Sequence, residues 1–294
     1  MNESSLPSYN ENWQKDLESV LATPAEAIAH IRPGQRVFIG TGCAQPQALV
    51  QALTDRAEEF EDTEIIHLLT EDSPSYDHKE LAKYFRVNSF YLRGDMQESE
   101  QNNLSDYTPI FVSDIPRLFR SGRLPLDVAL IQVTPPNEHG MCSLGVSVDI
   151  VKSAAENSSL VIAQVNPQMP WTSGDSLLYI HDIDILAPVD MPVLEAEFPE
   201  STETSRTIAE YIAALIEDGS TLELGFDRIS LSVLEFLKEK HDLGIHTEVI
   251  SDKIIDLIES GVITGKRKSI DHGKIVASSC MGTRRLFDYI DKNP

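Results

Sequence analysis

The sequence predicts an α/β fold with open, largely parallel sheets and flanking helices. Two observations carry that prediction. Short, nearly continuous apolar runs recur along the chain, the pattern of strands buried on both faces. Segments with helical apolar spacing separate them, as expected when helices cover a parallel sheet.

Val37-Phe38-Ile39 is the first such run. It enters Gly40-Thr41-Gly42, and a helix is expected to start near Pro46 with Leu49, Val50 and Leu53 on one face. Val128-Ala129-Leu130-Ile131-Gln132-Val133 and Leu160-Val161-Ile162-Ala163-Gln164-Val165 read as fully buried strands, and Ile183-Asp184-Ile185-Leu186 as another. Residues 190–205 hold Pro192, Pro199 and five acidic residues, which suggests a linker. A second βα pattern follows. Residues 208–216 have helical spacing, and Thr221-Leu222-Glu223-Leu224 reads as a strand ending at Gly225. Ser230 is placed to cap a helix carrying Leu231, Leu234 and Leu237. Gly244-Ile245-His246-Thr247 reads as a short strand. Ser251 is the expected cap of the next helix, which points Ile254, Leu257 and Ile258 inward and stops at Gly261. The domain division is therefore 1–190, a linker over 191–205, and 206–294. Residues 1–11 are polar and expected to fray.

Charge limits the partners. The chain of 294 residues carries 24 Lys+Arg against 47 Asp+Glu, a net charge of −23. Nucleic acid and anionic membrane surfaces are repelled by such a field, so neither is expected as a partner. The 41% hydrophobic content supports a packed core rather than disorder. No window approaches the ~18 apolar residues of a membrane span. The acidic, polar start lacks the pattern of a secretory signal. Cys43, Cys142 and Cys280 are few, scattered and odd in number, which suits free thiols in a reducing cytoplasm. One window runs against the trend. Between Lys253 and Arg285 there are seven basic and three acidic residues, so it reads either as a landing site for a small polyanion or as a solvated helix face and turn.

Several motifs allow more than one reading. Gly40-Thr41-Gly42-Cys43 lacks the third glycine of a dinucleotide fingerprint. A tight strand-to-helix turn lining a site and a purely structural turn both remain open. Gly261 to Lys266 fails as a P-loop, because three residues separate the glycines and Arg267 stands where a metal-holding hydroxyl is needed. Cys43 reads as a buried thiol rather than a nucleophile, having no histidine near it in sequence. His181-Asp182-Ile183-Asp184 reads as a surface carboxylate pair rather than a metal site. Glu248 follows a short strand and precedes a capped helix. It is either a helix-start acid or a carboxylate at the strand end where α/β sheets do their chemistry.

Longer stretches resemble a known family. They are Gly40-Thr41-Gly42-Cys43-Ala44-Gln45-Pro46-Gln47-Ala48-Leu49, then Pro135-Pro136-Asn137-Glu138-His139-Gly140 with Ser143-Leu144-Gly145-Val146-Ser147-Val148-Asp149. Val165-Asn166-Pro167-Gln168-Met169-Pro170, Gly174-Asp175-Ser176 and Gly244-Ile245-His246-Thr247-Glu248-Val249-Ile250-Ser251-Asp252 continue in order. Together they resemble the acetyl-CoA hydrolase/transferase family, of the 4-hydroxybutyrate and acetate:acyl-CoA CoA-transferase type. The resemblance implies a CoA-transferase-like N-terminal domain and the start of a second, similar domain. It implies Glu248 as covalent nucleophile, forming a glutamyl-CoA thioester in short-chain acyl and acetate metabolism. It further implies a CoA-binding loop over Gly225, Phe226, Asp227, Arg228 and Ile229, and an acyl side lined by Gly40, Gly42, Pro46 and Asn166. Acyl-CoA and a small carboxylate are the implied partners. Coenzyme A is then a substrate, with no tightly bound cofactor, no metal and a homo-oligomeric state expected.

Two departures stand out. Members usually carry a second glycine where this chain has Asp227, which adds charge near a developing oxyanion and resists positive φ. Members also continue where this chain ends, so an N-terminal portion with an incomplete second domain is expected, exposing apolar surface. Both departures favour the alternative of a catalytically weak CoA-binding module or subunit-like fragment.

Overall fold

The computed structural model describes residues 8–69, 81–91, 105–198 and 200–293. These fall into two compact units, Met1–Leu194 and Glu195–Pro294. The expected fraying of residues 1–7, and Pro199 in the expected linker, lie outside the described residues. Residues 8–11 do not fray. Tyr9 bridges Asn137 and meets the Trp171 ring edge-on, and the Asn10 amide donates to Pro136.

The first unit is built on seven parallel strands: β1 (Arg36–Ile39), β2 (Thr63–His67), β3 (Phe85–Ser89), β4 (Ser105–Tyr107), β5 (Leu126–Val133), β7 (Ser158–Val165) and β9 (Ile185–Pro188). Their order is β4-β3-β2-β1-β5-β7-β9. Strand alternation divides the core between the two faces. Val37, Ile39, Val128, Leu130 and Ile162 pack on one face with α3 (Gln47–Asp55), through Leu49, Val50 and Leu53. Phe38, Ala129, Ile131, Val161 and Ala163 pack on the other with α4 (Ile115–Arg120) and α5 (Val151–Asn157). Two short helices, α1 (Trp13–Asp16) and α2 (Pro24–Ile28), precede β1. An antiparallel pair, β6 (Met141–Ser143) with β8 (Leu177–Tyr179), lies in the connections flanking β7. The sheet is doubly wound. From β1 the order runs out through β2 in one direction and through β5 in the other. The crevice beyond the carboxyl ends of β1 and β5 is therefore the topological switch point.

The second unit holds three parallel strands in the order β10-β11-β12: β10 (Thr221–Leu222), β11 (Gly244–Ile250) and β12 (Val276–Cys280). Its helices are α6 (Glu203–Leu215), α7 (Arg228–Val233), α8 (Lys253–Glu259) and α9 (Arg284–Ile290). Thr202 and Ser205 form a capping box at the start of α6. The exposed face of α6 carries Ile208, Tyr211, Ile212 and Leu215.

Three local expectations are corrected. The cap of α7 is Asp227, whose carboxylate accepts from the Ile229 and Ser230 amides, and Ser230 lies inside the helix. Asp252 rather than Ser251 precedes α8, and the buried Ser251 hydroxyl does not cap it. The strand expected to end at Thr247 continues to Ile250 because it pairs with β12 along that length. Gly261 does end its helix, with φ of 77°.

Candidate active site

The first unit's switch point gathers the Gly40–Pro46 turn and Asn166. Gly40 has ordinary φ, and its amide extends the β1–β5 ladder to the Leu130 carbonyl. Gly42 is a true glycine position. Its φ is 54°, and a Cβ there would lie 3.1 Å from the Ser147 hydroxyl. Pro46 packs its ring against Gly40 and leads into α3.

Asn166 stands at the end of β7 and reaches the turn through a buried amide chain. Its Nδ2 donates 2.8 Å to Gln132 Oε1, and Gln132 Nε2 donates 3.0 Å to the Gln45 carbonyl. Gln164 joins the chain. Its Nε2 donates 3.1 Å to the same Gln132 oxygen, and its Oε1 accepts 2.9 Å from the Ala48 amide at the start of α3. Asn166 also donates to the Met191 carbonyl and accepts from Gln168 N, so its amide is committed within the fold. Thr41 donates its hydroxyl to Asp149, whose other oxygen accepts from Val151 N at the start of α5. Gln45, Gln132, Gln164 and Asp149 were not singled out from the sequence. The available signal was a glutamine at the same place in two apolar strands, brought face to face by the register Gln132↔Gln164.

The second unit presents Glu248 from the middle strand. In β11 the side chains alternate, with Ile245, Thr247 and Val249 buried and His246 and Glu248 exposed on one face. Glu248 is the fifth residue of a seven-residue strand, not a helix-start acid. Its carbonyl accepts 2.9 Å from the Ser278 hydroxyl. Thr247 points inward. Its hydroxyl accepts 2.8 Å from Leu224 N and donates 2.9 Å to Leu224 O. The residue before Glu248 is thus bonded to the residue before Gly225. The Thr-Glu pair divides its labour: one side chain fastens the loop, and the other faces outward beside it.

That loop runs through Gly225, Phe226, Asp227, Arg228 and Ile229. The expected strain at Asp227 is absent, because its φ is −90°, an ordinary extended value. Its Oδ1 accepts 2.7 Å from Ile229 N and 3.2 Å from Ser230 N, and its Oδ2 accepts from the Ser230 hydroxyl. Burial alone would raise its pKa. The Ser230 hydroxyl and the Ser230 and Ile229 amides outweigh that and hold the carboxyl below its ordinary value. A Cβ at Gly225 would meet Asp227 Oδ2 at 2.8 Å and Ser230 Oγ at 2.9 Å, so a larger residue there would displace the side chains of this cap.

The basic window is spent largely inside the fold. Lys253 pairs with Glu235, Arg285 with Asp256 and Arg284 with Asp288. Lys268 is 2% exposed and donates to the Ile245 and Lys274 carbonyls, with its pKa lowered by desolvation. All three cysteines are buried and free, and burial pushes the Cys142 and Cys280 thiols up to about 12. Among the described residues no group of three or more His, Cys, Asp or Glu is arranged to hold a metal. Asp184 instead accepts from Val161 N at the sheet edge, and the strand begins after it at Ile185. No helix among the described residues is long and apolar enough to cross a membrane.

Residues 1–201 match the family described as Acetyl-CoA hydrolase/transferase N-terminal domain. The chain belongs to the acetyl-CoA hydrolase/transferase family. It is 40% identical over 282 residues to a 4-hydroxybutyrate coenzyme A transferase of Clostridium kluyveri, covering 96% of this chain and 66% of that relative. A crystal structure of 4-hydroxybutyrate CoA-transferase from Porphyromonas gingivalis aligns with a TM-score of 0.83 at 34% identity, over 96% of this chain and 67% of that one. RipA from Yersinia pestis aligns with a TM-score of 0.88 at 28% identity, over 94% and 67%. The chain spans 56% to 66% of the length of the curated acetyl-CoA hydrolase/transferase relatives it matches.

Proposed function

We propose that this chain serves a CoA-transferase, moving coenzyme A between a short acyl-CoA and a small carboxylate, with Glu248 as nucleophile. The observation that carries the reading is the placement of Glu248 on the exposed face of β11, one residue beyond the Thr247 hydroxyl that holds the loop entrance at Leu224. A Glu248 carboxylate oxygen attacks the thioester carbonyl. The C–S bond breaks and CoA leaves as thiolate, giving a mixed anhydride. The thiolate attacks the glutamyl carbonyl, releases the first carboxylate and leaves a glutamyl-CoA thioester. An acceptor carboxylate reverses these steps and takes the CoA. Each bond broken resembles a bond made, so the exchange is nearly thermoneutral. With water as acceptor, the same intermediate gives hydrolysis. The loop from Gly225 to Ile229 contacts CoA, and Gly40, Gly42, Pro46 and Asn166 shape the acyl side. CoA enters as a substrate with no tightly held cofactor, and the protein works in the cytoplasm as a homo-oligomer.

A second reading has one specific observation in its favour. Asp227 occupies the Ile229 and Ser230 amides that a glycine-rich loop would leave open to an oxyanion. A catalytically weak CoA-binding module would look the same.

Peptide mass spectrometry after incubation with acetyl-CoA separates the readings. The transferase reading expects a CoA adduct, or its borohydride-reduced product, on the Glu248 peptide, absent in Glu248→Gln. CoA binding without an adduct supports the second reading. An adduct on a different residue, or exchange that persists in Glu248→Gln, refutes the glutamyl mechanism.

A further inference from the structure

A cavity of about 330 Å³ lies beside α4, lined by Ile110, Asp114, Arg117, Leu118, Ser121 and Arg123. Its position separates it from the switch point. The chain leaves α4 at Arg120 and enters β5 at Leu126, so Ser121 and Arg123 sit toward the amino ends of the strands. Gly40, Pro46 and Asn166 follow the carboxyl ends.

The lining has two characters. Ile110 and Leu118 are partly buried and pack onto the core, giving an apolar wall. Arg117 and Arg123 supply guanidinium groups with no carboxylate within ion-pair distance among the described residues. Arg36, Arg56, Arg86, Arg206, Arg284 and Arg285 each pair with an acid, while Arg32, Arg120, Arg228 and Arg267, like Arg117 and Arg123, have no ion pair among the described residues. The Ser121 hydroxyl donates 3.3 Å to the Leu118 carbonyl. Asp114 contributes one negative charge, so the lining carries a net charge of +1.

We propose that this cavity binds a small organic monoanion, a short-chain carboxylate. Its head lies between Arg117 and Arg123, and its alkyl part lies against Ile110 and Leu118. Guanidinium groups match the planar carboxylate with paired hydrogen bonds. The positive lining selects an anion, and the apolar wall selects an alkyl tail over an inorganic ion. The volume is at the small end of ligand sites. Both arginines are exposed to solvent, so binding is weak and salt-sensitive. The proposal stands apart from the role given to Glu248.

The test is arginine side-chain NMR on protein labelled with ¹⁵N-arginine. The Nε–Hε signals of Arg117 and Arg123 are assigned by their loss in Arg117→Gln and Arg123→Gln. Sodium butyrate is expected to shift both signals saturably, and butyramide to shift neither. Inorganic phosphate should bind at least several-fold more weakly. Arg117→Gln should weaken butyrate at the Arg123 signal about tenfold, the size of a lost charge-assisted hydrogen bond. Arg117→Lys, which keeps the charge, should lose less. Arg120→Gln and Glu248→Gln should leave the titration unchanged. Signals that do not move, an equal response to butyramide, or phosphate binding as tight as butyrate would each overturn the proposal. Loss of the shifts in Glu248→Gln would overturn the separateness of the site, whatever the outcome for the transferase reading.

Discussion

Asp227 shows how one residue can fix a loop that the proposed chemistry would use. Its Oδ1 caps α7 by accepting from two loop amides, and its Oδ2 accepts from the Ser230 hydroxyl. Asp227→Gly should cost only about a few tenths of a kcal/mol of stability through the lost cap, measured by urea unfolding. It should also raise the yield of the Glu248–CoA adduct, because the Ile229 and Ser230 amides become open to an oxyanion. The carboxyl titrates lower in the folded chain than in the unfolded one. Its contribution is therefore fully present above the unfolded value and is lost as pH falls through the folded one. His67 acts in the same direction, through a neutral ring rather than a charged carboxylate. It ends β2 fully buried, and desolvation lowers its pKa to about 4 from an ordinary 6.5. As pH falls below 6.5 the unfolded chain takes up this proton first, so stability declines down to about pH 4. The limit of that loss is about 3 kcal/mol. Unfolding at pH 7 and pH 4.5 should show a smaller acid loss in His67→Gln than in the unaltered chain.

Among the elements, β11 is decisive. Thr247 is its inward clamp, satisfying both backbone groups of Leu224 with one hydroxyl. Thr247→Val keeps the shape and removes the bonds, leaving a buried amide and carbonyl unpaired. Destabilisation of about 1–3 kcal/mol is expected in urea unfolding, with a lower adduct yield at Glu248 because the loop entrance is released. The sequence shows the start of this strand and misplaces its end. Thr247 to Ile250 mixes polar and apolar residues, and the partner, Val276-Ala277-Ser278-Ser279-Cys280, has little strand character of its own. Pairing between them, not local propensity, keeps the strand extended through Glu248. Caps were misplaced for a related reason. Ser230 and Ser251 are good capping residues, but Asp227 and Asp252 stand nearer the points where tertiary packing starts the helices.

At the scale of the whole molecule, the sequence by itself determined the α/β class and the apolar strands at the centre of the first sheet. Periodicity and burial demand are written locally in such runs, so β1, β5 and β7 were legible, as was the helix after Pro46. The family was legible too, in motifs that lie mostly in turns, where special residues are required. Strand order was not legible, because it depends on which edges meet at long separation. Only the fold sets β1 beside β5 and so creates the switch point. Only the register of β5 with β7 joins Gln132 and Gln164, and through them Asn166 and Gln45, into one buried amide chain. The basic window near the end shows the same division. Composition displays its charges, but ion pairing and the burial of Lys268 decide that most of them serve the fold. Short-range patterns select elements because they act over one or two turns of chain. The site is assembled by hydrogen bonds between residues far apart in sequence, and only the tertiary structure brings those together.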